Sequence, residues 1–151
     1  MNLKDASFDV VTLWDVLEHT SDPKALLQEC RRILKPKGLL AVNYPDIGSL
    51  VARLMGRKWV FLLSVHLYYF TSGSISKMLI KSGFQPVMQQ RHWQYLELGY
   101  ILYRMRPYLS WMAKMGTRLV GAMNLQSSQI PYWMGQRLVL ARPSGDRVRS
   151  D

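Results

Sequence analysis

Phe8-Asp9-Val10-Val11-Thr12-Leu13-Trp14-Asp15-Val16-Leu17-Glu18-His19 runs through Thr20-Ser21-Asp22-Pro23 into Lys24 to Leu34, and then into Lys35-Pro36-Lys37-Gly38. The opening residues are an apolar, β-branched run of strand length, the pattern of a strand buried on both faces. Asp15, Glu18 and His19 crowd its carboxyl end. Asp22 is a good helix N-cap, and Pro23 suits the first helical position because its φ is fixed and it lacks a donor. Leu26, Leu27, Cys30, Ile33 and Leu34 follow at helical spacing on one face, with Lys24, Gln28, Glu29, Arg31, Arg32 and Lys35 opposite. Pro36 and Gly38 stop the helix. Leu39 to Pro45 is a second buried strand. Strand, polar tip, helix and strand form a βαβ unit, the building block of parallel sheets.

The chain has 151 residues and 48% hydrophobic content, which suits a single domain with a real core. Cys30 is the one cysteine. An internal disulfide is therefore excluded, and a reducing, cytoplasmic setting is expected. Met1 to Asp5 carries no apolar signal region. The longest uncharged apolar stretch, Trp59 to Phe70, is broken by Ser64 and His66 and is too short to span a membrane. Net charge is +10, which suits an anionic partner such as nucleic acid, lipid or a phosphorylated substrate. The basic residues are scattered without a run of five, so a solvated surface explains them equally.

Several segments in order resemble the central part of class I S-adenosylmethionine-dependent methyltransferases, which share a Rossmann-like sheet. They are Phe8-Asp9-Val10-Val11, Asp15-Val16-Leu17-Glu18-His19, Asp22-Pro23, and Arg32-Ile33-Leu34-Lys35-Pro36-Lys37-Gly38-Leu39-Leu40. His66-Leu67-Tyr68-Tyr69-Phe70-Thr71 and Ser82-Gly83-Phe84 follow. The likeness spans roughly residues 7 to 90, with a weaker echo at 130 to 143. It departs at Lys37, where the family usually has Gly, and in the absence of the glycine-rich cofactor loop: Gly48, Gly56 and Gly73 are isolated.

The resemblance implies an α/β fold, a partial Rossmann-like sheet holding strands 4-5-7-6 of a seven-stranded order, its last strand antiparallel. Phe8, Leu39 to Tyr44, Phe84 to Gln90 and Tyr132 to Ala141 would be those strands. Residues 1–91 would be the C-terminal half of the methyltransferase domain, 92–128 a helical cap, 129–143 the final strand and 144–151 a disordered tail. Strands 1 to 3 and the glycine-rich turn would lie before Met1, leaving an exposed edge at Phe8 to Trp14 that invites self-association.

Between the main strands, Ile47, Leu50, Val51, Leu54 and Met55 are spaced as one helix face that Gly56 ends. Thr71 or Ser72 caps another helix with inner residues Ile75, Met78 and Leu79, and Gly83 suits its C-terminus. Residues 92 to 128 are dense in Trp, Tyr, Met and Leu, and Pro107 divides them into two helices. They read as an ordinary cap, as the wall of an apolar acceptor pocket, or as a surface resting on a membrane with Arg104, Arg106, Lys114 and Arg118 at the headgroups.

Ligands of open α/β sheets bind outside the carboxyl ends of strands. By resemblance Trp14, Asp15 and Val16 line the S-adenosylmethionine site, mostly through backbone and apolar contact, while Glu18 and His19 face the acceptor. Methyl transfer needs alignment and water exclusion, with a general base only for a protonated acceptor. His19 or His66 suits that role because imidazole titrates near neutrality. Plain structural roles stand beside these: capping for Glu18, a fixed hydrogen bond for His19. Asp15, Glu18, His19 and His66 also raise a metal question, since related enzymes acting on small-RNA ends or ubiquinone precursors hold a divalent ion at matching positions. The expectation adopted is no metal. The acceptor is expected to be a small or lipid-like molecule, with contact to the membrane periphery. A non-catalytic remnant or partner-dependent subunit is the alternative. A nucleic-acid-binding module ranks last for want of any recognition motif, so no nucleic acid is expected.

Overall fold

A computed structural model describes residues 3–106 and 108–145. The element order is β1 (Phe8–Trp14), α1 (Pro23–Ile33), β2 (Leu34–Pro45), α2 (Leu50–Met55), α3 (Ser72–Lys81), β3 (Phe84–Arg91), β4 (Gln94–Glu97), α4 (Leu98–Met105), α5 (Ser110–Ala122), β5 (Gln129–Tyr132) and β6 (Gln136–Pro143), with short 3₁₀ turns at Leu17–His19 and Gly56–Lys58. Two compact units divide the chain: Trp93–Trp133 forms one, and the residues on either side of it form the other.

The larger unit is a four-stranded sheet in the order β1-β2-β6-β3. β1 and β2 are parallel; β6 runs antiparallel to both β2 and β3. This is the expected 4-5-7-6 arrangement with the last strand reversed. α1 begins as the sequence dictates: the Ala25 amide donates to Asp22 Oδ1 at 2.9 Å, and Pro23 opens the helix. Its Leu27 and Cys30 are buried against Leu13, Leu34, Leu40, Val42 and Tyr44 of the sheet, and Ile75, Leu79 and Phe84 extend the same core. Full burial of each such aliphatic side chain is worth roughly 1.5–3 kcal/mol. α3 carries a capping box in which the Ser74 amide donates to Thr71 Oγ1 and the Thr71 amide to Ser74 Oγ.

The Lys35-Pro36-Lys37-Gly38 segment does more than stop α1. β2 already starts at Leu34, and the pairing jumps from Phe8↔Leu34 to Val10↔Leu39, so these four residues bulge opposite Asp9. A Cβ at Gly38 would sit 2.7 Å from Leu34 Cδ2 and 3.1 Å from the Asp9 carbonyl oxygen, so the residue must stay small.

Several expectations are corrected. β1 is not buried on both faces: Phe8, Val10 and Trp14 are exposed while Val11 and Leu13 turn inward, because β1 forms the edge of the sheet and only its inner face meets the core. The helical spacing that opens at Ile47 becomes a helix only at Leu50. Asp46 is buried and occupied elsewhere, accepting from the Gly48 amide at 2.8 Å and lying 2.7 Å from Arg137 Nε, and Ser49 takes the cap. Leu50 and Leu54, which the spacing puts on one helix face, lie outside. The final strand does not run unbroken from Tyr132. β5 and β6 are separated at Gly135, which has φ 104°, and whose added Cβ would lie 2.5 Å from Ser49 Oγ. Gly135 therefore lies in the interruption between two strands. Ser144, assigned to a disordered tail, is held: its amide and hydroxyl both donate to the Gly83 carbonyl, and its own carbonyl accepts from Arg31. The rest of that tail from residue 146 lies outside the described residues, as does Pro107.

Residues 92–128 were read as helices alone, yet they open on a strand, and the strand expected from residue 129 pairs with it before the main sheet resumes. β4 pairs antiparallel with β5, Gln94 opposite Tyr132 and Glu97 opposite Gln129. Between them α4 and α5 pack together at Gly116, where a Cβ would come within 2.9 Å of Leu102 Cδ2.

Candidate functional site

The carboxyl end of β1 turns into the 3₁₀ turn Leu17–His19, which buries Leu17 and Glu18 and leaves His19 exposed. The loop after α2 folds back over this turn. The amides of Leu67 and Tyr68 donate to the Glu18 carbonyl at 2.7 and 3.3 Å, and the Tyr68 hydroxyl donates to the Ser21 carbonyl at 3.0 Å. These bonds bring His66 to His19 across 47 positions of sequence. The two imidazoles meet edge to face with centroids 4.6 Å apart, and the Tyr69 ring lies 5.8 Å beyond.

Glu18, His19 and His66 each present one donor atom, all within 4.8 Å of one another. His19 Nδ1 lies 3.1 Å from the Val65 carbonyl. A carbonyl only accepts, so Nδ1 carries the proton and Nε2 keeps its lone pair. Glu18 is 1% exposed, and neither carboxyl oxygen meets a hydrogen-bond partner; its own backbone amide and the neighbouring His19 favour the charge. Burial raises its pKa, and the charge of Asp15 adds to the effect. Burial lowers the pKa of His66, helped by the neighbouring His19.

Asp15 belongs to a different group. It has φ 50°, a left-handed conformation that Asp tolerates better than most residues, and this turns it toward β2 and β6. Its Oδ1 accepts from Asn43 Nδ2 at 3.1 Å and from Gln136 Nε2 at 3.2 Å. Partial burial among the strand ends raises its pKa, against the lowering influence of His92 and of the Gln136 amide. The sequence reading missed Asn43, Gln136 and His92. Asn43 alone left a signal there, as a polar residue in an otherwise apolar strand. Trp14 and Val16 stay at the strand end with exposed side chains, Trp14 tilted against the His92 ring at 5.2 Å.

The sequence pattern of the methyltransferase domain matches residues 3–89. The chain belongs to the methyltransferase-domain family. An 87-residue stretch is 32% identical to a ubiquinone biosynthesis O-methyltransferase of Cereibacter sphaeroides, covering 53% of this chain and 35% of that protein. A 118-residue stretch is 28% identical to the protein of the same name in Psychrobacter arcticus, covering 66% and 46%. The chain thus spans less than half the length of these curated relatives. Among solved structures, an S-adenosylmethionine-dependent methyltransferase of Thermotoga maritima superposes with a TM-score of 0.57 at 20% identity, covering 95% of this chain and 60% of that one. The Burkholderia thailandensis 1,6-didemethyltoxoflavin-N1-methyltransferase, solved with S-adenosylhomocysteine, gives 0.51 at 15% identity, covering 93% and 45%. At these identities the likeness shows the fold.

The methyl donor of this family is S-adenosylmethionine. The residues present fit one side of such a site. Trp14 and Val16 offer apolar surface at the carboxyl end of a parallel strand, and Asp15 offers a held carboxylate. A glycine-rich turn after a strand, which would cradle the other side, is absent from the sequence.

Proposed function

We propose that this chain forms the acceptor side of a class I methyltransferase that methylates a hydroxyl oxygen of a small or lipid-like molecule, with His19 as general base. The observation that carries the reading is the meeting of Glu18, His19 and His66 at the carboxyl end of β1. The names of the ubiquinone-pathway relatives support an oxygen acceptor.

S-adenosylmethionine supplies a methyl group already activated on a sulfonium. His19 Nε2, its lone pair free, takes the proton from the acceptor hydroxyl as the oxygen gains the methyl. The Val65 carbonyl fixes the ring and its tautomer, and Glu18, when ionised, steadies the imidazolium. His66 stays neutral near pH 7 because its pKa is lowered, and so adds no opposing charge. Trp14 and Val16 exclude water on the donor side.

The unpartnered carboxylate of Glu18 favours a second reading, in which Glu18, His19 and His66 hold a divalent ion that binds the acceptor hydroxyl. Two imidazoles and one carboxylate suit Zn²⁺ or Mn²⁺ better than Mg²⁺. Nitrogen and oxygen donors of a tetrahedral zinc ion lie about 3.4 Å apart, so these side chains would draw together to close the set.

Transfer of a labelled methyl group by the enzyme containing this chain separates the two readings. The base reading expects His19→Ala to cut the rate roughly 10²-fold or more, with no effect of chelator. Loss of activity on chelation, restored by Mn²⁺ or Zn²⁺, supports the metal reading. Unchanged rates in His19→Ala and His66→Ala reject both.

A further inference from the structure

Helix α5 is packed the wrong way round for a core helix. Its large apolar residues Trp111, Met112, Met115 and Leu119 are 41% to 65% exposed, and Met123, one residue past its end, is 66% exposed. At 100° per residue these five fall within one stripe about 120° wide. The opposite side carries Ala113, Gly116, Thr117 and Val120; Ala113 is fully buried, and Gly116 lets Leu102 of α4 approach. Small residues thus make the helix–helix contact, and the large ones are left in solvent.

The charges beside the stripe are basic. Arg118 and Lys114 lie along its edge on the Trp111 side, both exposed. The whole unit from Trp93 to Trp133 has Arg104, Arg106, Lys114 and Arg118 against Glu97 alone, four cations and one anion, for a net +3. A stripe of Trp, Met and Leu with cations along one edge, in a unit of net positive charge, is complementary to a surface that is apolar within and anionic at its boundary. A soluble protein partner would need an acidic rim, which a second copy of this unit does not have.

We propose that α5 is a membrane-docking helix, lying in the interface of an anionic lipid bilayer with Trp111, Met115 and Leu119 inserted and Lys114 and Arg118 at the headgroups. Among the described residues no helix is long and apolar enough to cross a membrane, so this would be contact from one side. Such docking delivers the enzyme to acceptors dissolved in the bilayer. It rests on residues outside the Glu18–His19–His66 cluster, so it stands or falls separately from the chemistry proposed there.

The test is flotation of the full chain with vesicles of phosphatidylcholine alone and of phosphatidylcholine with phosphatidylglycerol. Binding is expected to the anionic vesicles and to weaken with added salt. Leu119→Glu, at an exposed position that leaves the α4 contact intact, should abolish it, and circular dichroism should show the fold unchanged. Lys114→Gln and Arg118→Gln should each weaken it roughly fivefold. Three outcomes overturn the proposal: no binding to anionic vesicles, binding that Leu119→Glu leaves unaltered, or a dimer in light scattering that Leu119→Glu dissociates, since a second copy would then cover the stripe.

Discussion

Glu18 is where the site shows most plainly in energetic terms. An ionised carboxylate held with no hydrogen-bond partner is costly, and a fold keeps one only where something repays it. Its folded-state pKa lies above the ordinary 4.5, so the folded chain holds that proton more tightly than the unfolded chain does. The stabilisation this gives is complete below the unfolded value and is lost as pH rises through the folded one. Near neutrality the ionised group is a net burden. Glu18→Gln, measured by thermal unfolding in chelator, should therefore raise the melting temperature at neutral pH and change it little near pH 4. Equal shifts at both would show that the charge is not the burden. The sequence put Glu18 and His19 at a strand end and so near a site. It also proposed His66, on a resemblance, but the contact between His66 and His19 depends on the loop of residues 59–70 folding over the turn, which no local pattern encodes.

At the level of elements, α1, α3 and the four sheet strands were legible because apolar spacing and capping chemistry agree there. For α2 the spacing carries the period but not the side. Leu50 and Leu54 have the same helical spacing as Ile75 and Leu79, yet α2 turns its pair outward and α3 buries its own. Periodicity identifies a face without saying what covers it. The consequence is measurable by urea unfolding. Leu79→Ala should cost about 2–5 kcal/mol, since it opens a cavity in the core, whereas Leu54→Ala should stay within roughly 0.5 kcal/mol. A large loss at Leu54 would mean that α2 is covered after all. β4 escaped the sequence reading for a related reason: a four-residue strand in an aromatic-rich stretch leaves no alternation long enough to distinguish from a helix.

At the level of the whole molecule, the fold carries four strands of a family sheet of seven, and β1 lies at its edge with Phe8, Val10 and Trp14 exposed. In the full family order that edge would be paired and that face covered. The described residues bring Glu18, His19 and His66 together at the carboxyl end of β1, the cluster proposed above to face the acceptor, and leave Trp14 and Val16 exposed beside it. The glycine-rich turn that would hold the rest of the donor is not among residues 1–151. Titration calorimetry of the purified 151-residue chain with S-adenosylhomocysteine tests this division of labour most directly. The account predicts no saturable heat below millimolar ligand; micromolar one-to-one binding by a stable monomer would contradict it.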